Sequence, residues 1–419
     1  MHGSDATGDV VRERRIAVAI ADAFDPRALW PDLDIDAYEA AIGRIANAAR
    51  DVLAHRSVAW EDVDDAVARH LGRAAFRLGV GPLVGWWIEA DAVRTTPAVA
   101  TVFAEHLAHS RRRRARLVAE TARVVEAFLG AGVEPVLLKG LDAASLYPHP
   151  AARVFQDIDL YVPPPTAMAA EDALRRLGFA LATTLTERRT WAPSGGSRVA
   201  SLDLTHADTS WSLDLHLSLA RTLWRAVPAP IPPPDLGRCP WLELDGLRVR
   251  VLPPLERLGF VAVHASSNLR ALQLLHLLDV IHASRAYRAG AAGDWSDLAA
   301  WLRGWNGERF VYPALALAER LAPGTTDPAF LAALEPRVPA RLVQGMARWE
   351  FADAVRPDRW SVDQALMWAA TPGEALRILW AQVVPGSGYT WRERADFYVR
   401  RVRQLVRGNI RLTGRAAPA

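Results

Sequence analysis

Asp157 and Asp159 stand two residues apart in a stretch, Val154 to Val162, that reads as a strand. Alternate side chains of a strand project from one face, so the two carboxylates share a side, roughly 6 to 7 Å apart along the backbone. Like charges held that close repel, and a divalent cation relieves the repulsion. Magnesium takes oxygen ligands of this kind, typically one or two carboxylates together with substrate phosphates. A third acid, Asp214, lies in Trp211-Ser212-Leu213-Asp214-Leu215-His216, a second alternating strand whose apolar members point away from the acid. If the two strands are neighbours, three carboxylates converge and can hold two metal ions.

Lys139-Gly140 supplies the complementary half. Lys139 is the only lysine among 50 Lys and Arg residues. In a chain where arginine has replaced lysine almost everywhere, a retained lysine marks a place for a compact, flexible point charge. A strand that ends in glycine before a helix lets backbone N–H groups approach phosphate oxygens, and the helix N-terminus adds its dipole. Lys139 would add a full positive charge on a triphosphate. Arg153, four residues before Asp157, could make a bidentate phosphate contact. Asp-x-Asp alone is a weak signal: Asp32-Leu33-Asp34 and Asp34-Ile35-Asp36 repeat it with no phosphate loop nearby.

The elements that must position these residues can be read from periodicity. From about Val11 to Leu129 the pattern is helical, closing with a helix over roughly Pro97 to Leu129 that Gly130-Ala131-Gly132 ends. Pro135 to Leu138 reads as a buried strand, and Leu141 to Tyr147 as a helix broken by Pro148-His149-Pro150. After the Val154 to Val162 strand, Thr166 is the expected N-cap of a helix, Ala167 to Leu177, stopped by Gly178. Phe179 to Trp191, Arg198 to Ala207 and Ser210 to Leu219 are expected to extend the sheet in antiparallel fashion. Pro228 to Pro240 reads as a linker. Helices follow at Leu255 to Ser266, Leu269 to Tyr287, Trp295 to Trp305, Tyr312 to Leu321 and Trp391 to Arg407. The fold class is therefore α+β, a small mixed or antiparallel sheet between two helical regions. The expected organisation is a helical N-terminal region over 1–130, a catalytic core over 131–227, a Pro-rich linker with short strands over 228–254 and a helical C-terminal domain over 255–419.

With 419 residues and 51% hydrophobic content the chain can bury a large core. No stretch approaches the roughly 18 to 20 uninterrupted apolar residues of a spanning helix, and Ile16 to Phe24 resembles neither a signal peptide nor an anchor, so a cytoplasmic protein without a membrane partner is expected. The single cysteine, Cys239, excludes an intrachain disulfide and a multi-cysteine zinc site. A net charge of +3 does not dictate a polyanionic partner. Two arginine runs, Arg111 to Arg114 with Arg116, and Arg400, Arg401, Arg403 and Arg407, read first as solvated helix faces and only second as a nucleic-acid footprint.

The run Val136-Leu137-Leu138-Lys139-Gly140, then Leu146-Tyr147-Pro148, Arg153, Asp157-Ile158-Asp159-Leu160 and Leu213-Asp214-Leu215-His216 resembles an uncharacterised family of bacterial nucleotidyltransferases in the DNA polymerase β-like superfamily. Arg257-Leu258, His264, Leu275, Leu278-Asp279 and Asp294-Trp295 before Trp305 carry the resemblance onward, over roughly Leu107 to Ala322. The resemblance implies a nucleotidyltransferase-type sheet, with Asp157, Asp159 and Asp214 as metal ligands and catalytic acids and Lys139-Gly140 as the nucleotide-binding turn. It further implies magnesium, two ions, and an NTP whose NMP group passes to an unidentified acceptor: a small molecule, a peptide or RNA. The chain departs from the superfamily in having Gly140-Leu141 where Gly-Ser or Gly-Gly is usual, and in a longer interval from Gly140 to Asp157. Two competing functions follow: a non-catalytic nucleotide-binding or scaffold protein, and an RNA-directed, toxin-like transferase using the Arg111 to Arg116 run. His264, His276 and His282 read as packing histidines. His216 reads equally as a structural residue or as one that orients an acid or touches substrate. Trp211 either packs or stacks on a base, and Ser194-Gly195-Gly196 reads as a turn.

Overall fold

The Asp34 carboxylate accepts hydrogen bonds from the Asp36 and Ala37 N–H groups and so opens the first long helix. Of the two early Asp-x-Asp motifs, one member thus has a capping role. The computed structural model describes residues 26–185, 187–194, 199, 201–269, 272–290, 293–350, 362–384 and 398–399. Arg400, Arg401, Arg403, Arg407, Gly195, Gly196, the Ile16 to Phe24 stretch and almost all of the expected Trp391 to Arg407 helix lie outside them.

The N-terminal part is helical, as its periodicity implies: α1 (Ile35–Leu53), α2 (Asp65–Leu78), α3 (Gly81–Glu89) and α4 (Pro97–Gly130). It also holds two three-residue strands, β1 (Val58–Trp60) and β2 (Val93–Thr95), paired in parallel. Three residues are too few for alternation to register in the sequence. Helix α4 runs 34 residues, about 51 Å at 1.5 Å per residue. It starts on a proline, which needs no N–H there. The chain leaves it through Gly132 at φ +73°, a conformation glycine adopts without a Cβ clash.

A seven-stranded mixed sheet follows, built from β3 (Val136–Leu137), β4 (Asp157–Tyr161), β5 (Phe179–Thr184), β6 (Arg188–Pro193), β7 (Ser212–His216), β10 (Trp241–Leu244) and β11 (Leu247–Val251). Its strand order is β10-β11-β3-β4-β7-β6-β5. Between them, β8 (Arg221–Leu223) and β9 (Val227–Ala229) form a separate antiparallel pair. The β5, β6 and β7 pairings are antiparallel as expected, but β7 lies parallel to β4, and β11 parallel to β3. The 228–254 segment therefore contributes two strands to the same sheet. The Arg198 to Ala207 stretch forms no strand among its described residues, and β5 and β6 both come from the Phe179 to Pro193 stretch.

Helix α5 (Leu141–Ala144) is four residues long, shorter than expected, and α6 (Ala167–Arg176) follows a 3₁₀ turn over Pro164–Thr166. Thr166 does not cap α6. Its backbone is already helical, and its hydroxyl donates instead to the Pro163 carbonyl at 2.9 Å.

Beyond the sheet come α7 (Pro254–Ser267), α8 (Leu274–Ala289), α9 (Trp295–Arg303) and α10 (Glu308–Leu321). Four shorter helices follow, at Pro328–Leu334, Ala340–Arg348, Val362–Leu366 and Pro372–Val383. Strand alternation divides the sheet's side chains between two cores. Ile158, Leu160, Leu213 and Leu215 pack in the cluster that contains Leu117, Val124 and Phe128 of α4 and Leu174 of α6. Tyr161, on the opposite face, belongs to the cluster built around α7, α8 and α10. Asp157, Asp159 and Asp214 share the Tyr161 face. No helix of the described residues is long and apolar enough to cross a membrane.

Candidate active site

Parallel pairing of β4 and β7 sets Asp159 directly beside Asp214, and Tyr161 beside His216. Asp159 is fully buried: its Oδ1 lies 2.9 Å from Lys139 Nζ and 2.8 Å from His216 Nε2. Lys139 Nζ is also 3.8 Å from Asp157 Oδ2, so the lone lysine bridges the Asp-x-Asp pair. Strand β6 lies on the far side of β7, with Thr190 opposite Asp214 and Arg188 opposite His216. From there Arg188 Nη1 reaches Asp214 Oδ2 at 2.6 Å, and the Thr190 hydroxyl donates to Asp214 Oδ1 at 2.7 Å. Asp157, at the start of β4, is the open member, with 35% of its side chain exposed.

Burial and neighbouring charge push these groups apart. Burial works against ionisation of Asp159, yet Lys139 and His216 hold its carboxyl below the usual carboxylate range. Burial and the charge of Asp159 raise Asp157 and Asp214, Lys139 moderating both. Burial also lowers His216, which keeps the imidazole neutral and available as a ligand or hydrogen-bond partner. One ligand atom each from Asp159, Asp214 and His216 lies within 4.8 Å of the others. Asp159 Oδ2 is buried without a hydrogen-bond partner. An orphaned, buried carboxylate oxygen beside two further donor side chains is what a hard cation requires, so the residues fit a divalent ion.

The turn beside the acids is held from beneath. Gly140 has φ +52°, which selects glycine; a Cβ there would meet only the Asp157 carbonyl at 3.5 Å. Arg153 Nη1 donates to the Gly140 carbonyl at 3.2 Å. The rest of that guanidinium grips Asp279 of α8 in a bidentate pair, Nε to Oδ1 at 2.8 Å and Nη2 to Oδ2 at 2.7 Å. Tyr147 donates to the same carboxylate at 2.8 Å. A second buried ion pair joins Asp142 in α5 to Arg257 in α7, 3.0 Å apart though not aligned as a hydrogen bond at Asp142 Oδ1. Leu141, which departs from the expected Gly-Ser or Gly-Gly turn, is buried in the sheet core.

Residues 64–323 match the model of a family described as uncharacterised nucleotidyltransferases. The chain belongs to that family. The match takes in every residue of the site and begins well before Leu107, so it includes α2, α3 and α4. Two solved structures of the antibiotic-resistance factor ANT(2'')-Ia are similar to this chain. A solution structure shares 15% identity over 46% of this chain and 92% of that one, with a TM-score of 0.33. A crystal structure with adenylyl-2''-tobramycin shares 14% identity over 46% of this chain and 97% of that one, with a TM-score of 0.32. No curated protein matches the sequence.

The fold thus brings Lys139, Asp157, Asp159 and Asp214 to one place and sets Gly140 next to Asp157. Arg153 is nearby but turned away: it is buried, its guanidinium engaged by Asp279 and by the Gly140 and Val154 carbonyls. Trp211 packs edge-on against Phe179 in the sheet core, away from the acids' face. His264 and His276 meet edge to face with ring centroids 5.0 Å apart, and the His282 ring lies 4.3 Å from that of Tyr147, in keeping with packing roles. The arginine run of α4 is paired within the chain, largely at the surface: Arg111 with Glu89, Arg114 with Asp245 and Arg116 with Asp208. Arg113 is buried and donates to the carbonyls of Phe155, Gln156, Thr209 and Ser210, tying together the entries of β4 and β7. Arg188, Thr190 and Arg221 escaped the sequence reading. The polar alternation Arg188-x-Thr190 on a strand facing Asp214 was the available signal for the first two.

Proposed function

We propose that this protein transfers an NMP group from an NTP to an acceptor hydroxyl or phosphate in the cytoplasm. The observation that carries the reading is the register of β4 and β7, which places Asp159 beside Asp214 with Asp157 on the same face. Asp157, Asp159 and Asp214 would hold divalent cations, magnesium by ligand type, with His216 orienting Asp159. Such ions, when bound, screen the triphosphate and stabilise charge on the attacking and leaving oxygens. The acceptor oxygen forms a bond to the α-phosphorus as the bond to the bridging oxygen breaks, and pyrophosphate departs with its electron pair. Asp214, its carboxyl raised by burial and by Asp159, is suited to take the acceptor proton. Lys139 supports Asp159 in the free protein and lies within reach of an incoming phosphate. Arg153 acts as a positioning residue, holding the Gly140 carbonyl so that the turn keeps its shape.

A second reading, nucleotide binding without turnover, is favoured by Arg188 and Thr190 together engaging both oxygens of Asp214. The RNA-directed reading loses support, because Arg111, Arg113, Arg114 and Arg116 have partners within the chain. The test is magnesium-dependent pyrophosphate release from each of the four NTPs in a cell extract, with wild type and Asp159→Asn side by side. Release that the substitution abolishes supports transfer; NTP binding without release in the wild type supports the second reading.

A further inference from the structure

Arg221, the first residue of β8, follows the site's histidine by five positions. Among the described residues its guanidinium makes no hydrogen bond and no ion pair, and its Nε is buried without a partner. It lies over the Phe260 ring of α7, 5.5 Å from the centroid. One face of α7 carries Arg257, Phe260 and His264 at helical spacing. Arg257 meets Asp142 of the turn, Phe260 meets Arg221, and His264 also presents a buried, unpartnered Nδ1. Arg221 is thus held against α7. Asp159, Asp214 and Asp157 all act on it electrostatically, as does Arg188.

An arginine that keeps its charge here, yet makes no ion pair, is unusual. Desolvating a guanidinium is costly unless an anion meets it, and a planar fork beside an aromatic face is suited to bidentate oxyanion binding. The charges of the site support the same point. Asp157, Asp159 and Asp214 are matched by Lys139, Arg188 and Arg221, so the free site is neutral by formal charge. Two divalent cations and a tetra-anionic NTP add no net charge. Cations that take the carboxylates would free Lys139 and Arg188 to join Arg221 in facing the triphosphate.

We propose that Arg221 is the residue that binds the nucleotide's polyphosphate, the part that the sequence suggested for Arg153. The proposal rests on the nucleotidyltransferase reading and names the anion-binding side chain within it. Arg153 cannot serve without abandoning Asp279, whereas Arg221 has, among the described residues, no hydrogen bond or ion pair to give up.

The test is calorimetric titration of the full chain in magnesium chloride, using inorganic tripolyphosphate and the α,β-methylene analogues of the four NTPs. Wild type is compared with Arg221→Gln and Arg221→Lys, and thermal unfolding without ligand checks the fold. The expected result is that Arg221→Gln weakens tripolyphosphate and the preferred analogue in parallel, by about tenfold or more. Arg221→Lys, retaining the charge without the fork, should lose less. Equal affinity for wild type and a folded Arg221→Gln would overturn the assignment and leave the nucleotidyltransferase reading standing. Failure of the wild type to bind any of the five probes would overturn both. If Arg221→Gln does not fold, Arg221→Lys decides alone, an unchanged affinity counting against the proposal.

Discussion

The two halves of the site are built on opposite plans. Around the Gly140 turn, Arg153 and Asp279 are both buried, close a bidentate pair, and leave little for a ligand to claim. Around the acids, Arg188 is 34% exposed, Asp157 35% exposed, Asp159 keeps an oxygen without a partner and Arg221 keeps a nitrogen without one. The Arg153–Asp279 pair is saturated and fixes geometry. The half around the acids is held by contacts that a cation and an anion together can replace. Ion pairs in a protein are thus informative by what remains unsatisfied around them, more than by their number.

The sharpest way to break this comparison is Asp159→Asn. It should lower turnover by on the order of 10³-fold or more, because a metal-ligating charge is lost, while the variant still folds, at a lower denaturation midpoint because Lys139 loses its 2.9 Å partner. Full activity in the folded variant would remove the acids from the chemistry. Asp279→Ala should act the other way, on stability. It leaves Arg153 buried and unpaired, which costs about 3 to 5 kcal/mol by urea denaturation. The double variant Arg153→Met with Asp279→Leu should regain most of that stability but remain slow, since the Gly140 carbonyl loses its donor.

Acid should expose a third contrast, between these charged pairs and the buried histidines. Burial lowers His106, His276 and His282 to about 4, so between their ordinary value and 4 the unfolded chain binds more protons than the folded one. Stability therefore rises with pH across that window and falls on acidification. Asp142, pushed up to about 6 by burial, works in the opposite sense but is outnumbered. The net slope near pH 5 should be about 2 kcal/mol per pH unit, measured from urea midpoints at pH 7, 6 and 5. A flat profile would show the histidines to be hydrated. The smallest effect belongs to Arg111→Ala, which breaks an exposed pair with Glu89 and should cost under about 1 kcal/mol. A larger loss would mean that the α4 arginines contribute more than their exposure suggests.

The acids and the lysine were legible because each interrupts an apolar strand or a biased composition, and their spacing alone puts them on one face. Arg153 was legible as important but not in its role, because its partner Asp279 lies 126 residues away and no local pattern reveals a pairing at that range. The same limit hid Arg113, which reads as one of a solvated run until the carbonyls of two distant strands close on it. Trp211 was drawn toward the site by its closeness to Asp214 in sequence, but strand neighbours face opposite sides, which puts the indole in the core. The parallel pairing of β4 with β7 could not be read from either strand. It depends on the whole crossover, including a segment that forms no strand among its described residues.

The solitary lysine has a practical consequence. An endoprotease that cuts only after lysine has one bond to attack in this chain, between Lys139 and Gly140, in a turn whose lysine side chain is 10% exposed. Cleavage at that bond needs the turn to leave its bed, so its rate reports how often this one segment opens, free of background from the remaining residues. Slower cutting in the presence of a nucleotide would time the closing of the turn directly, in minutes on a gel, without knowledge of the acceptor.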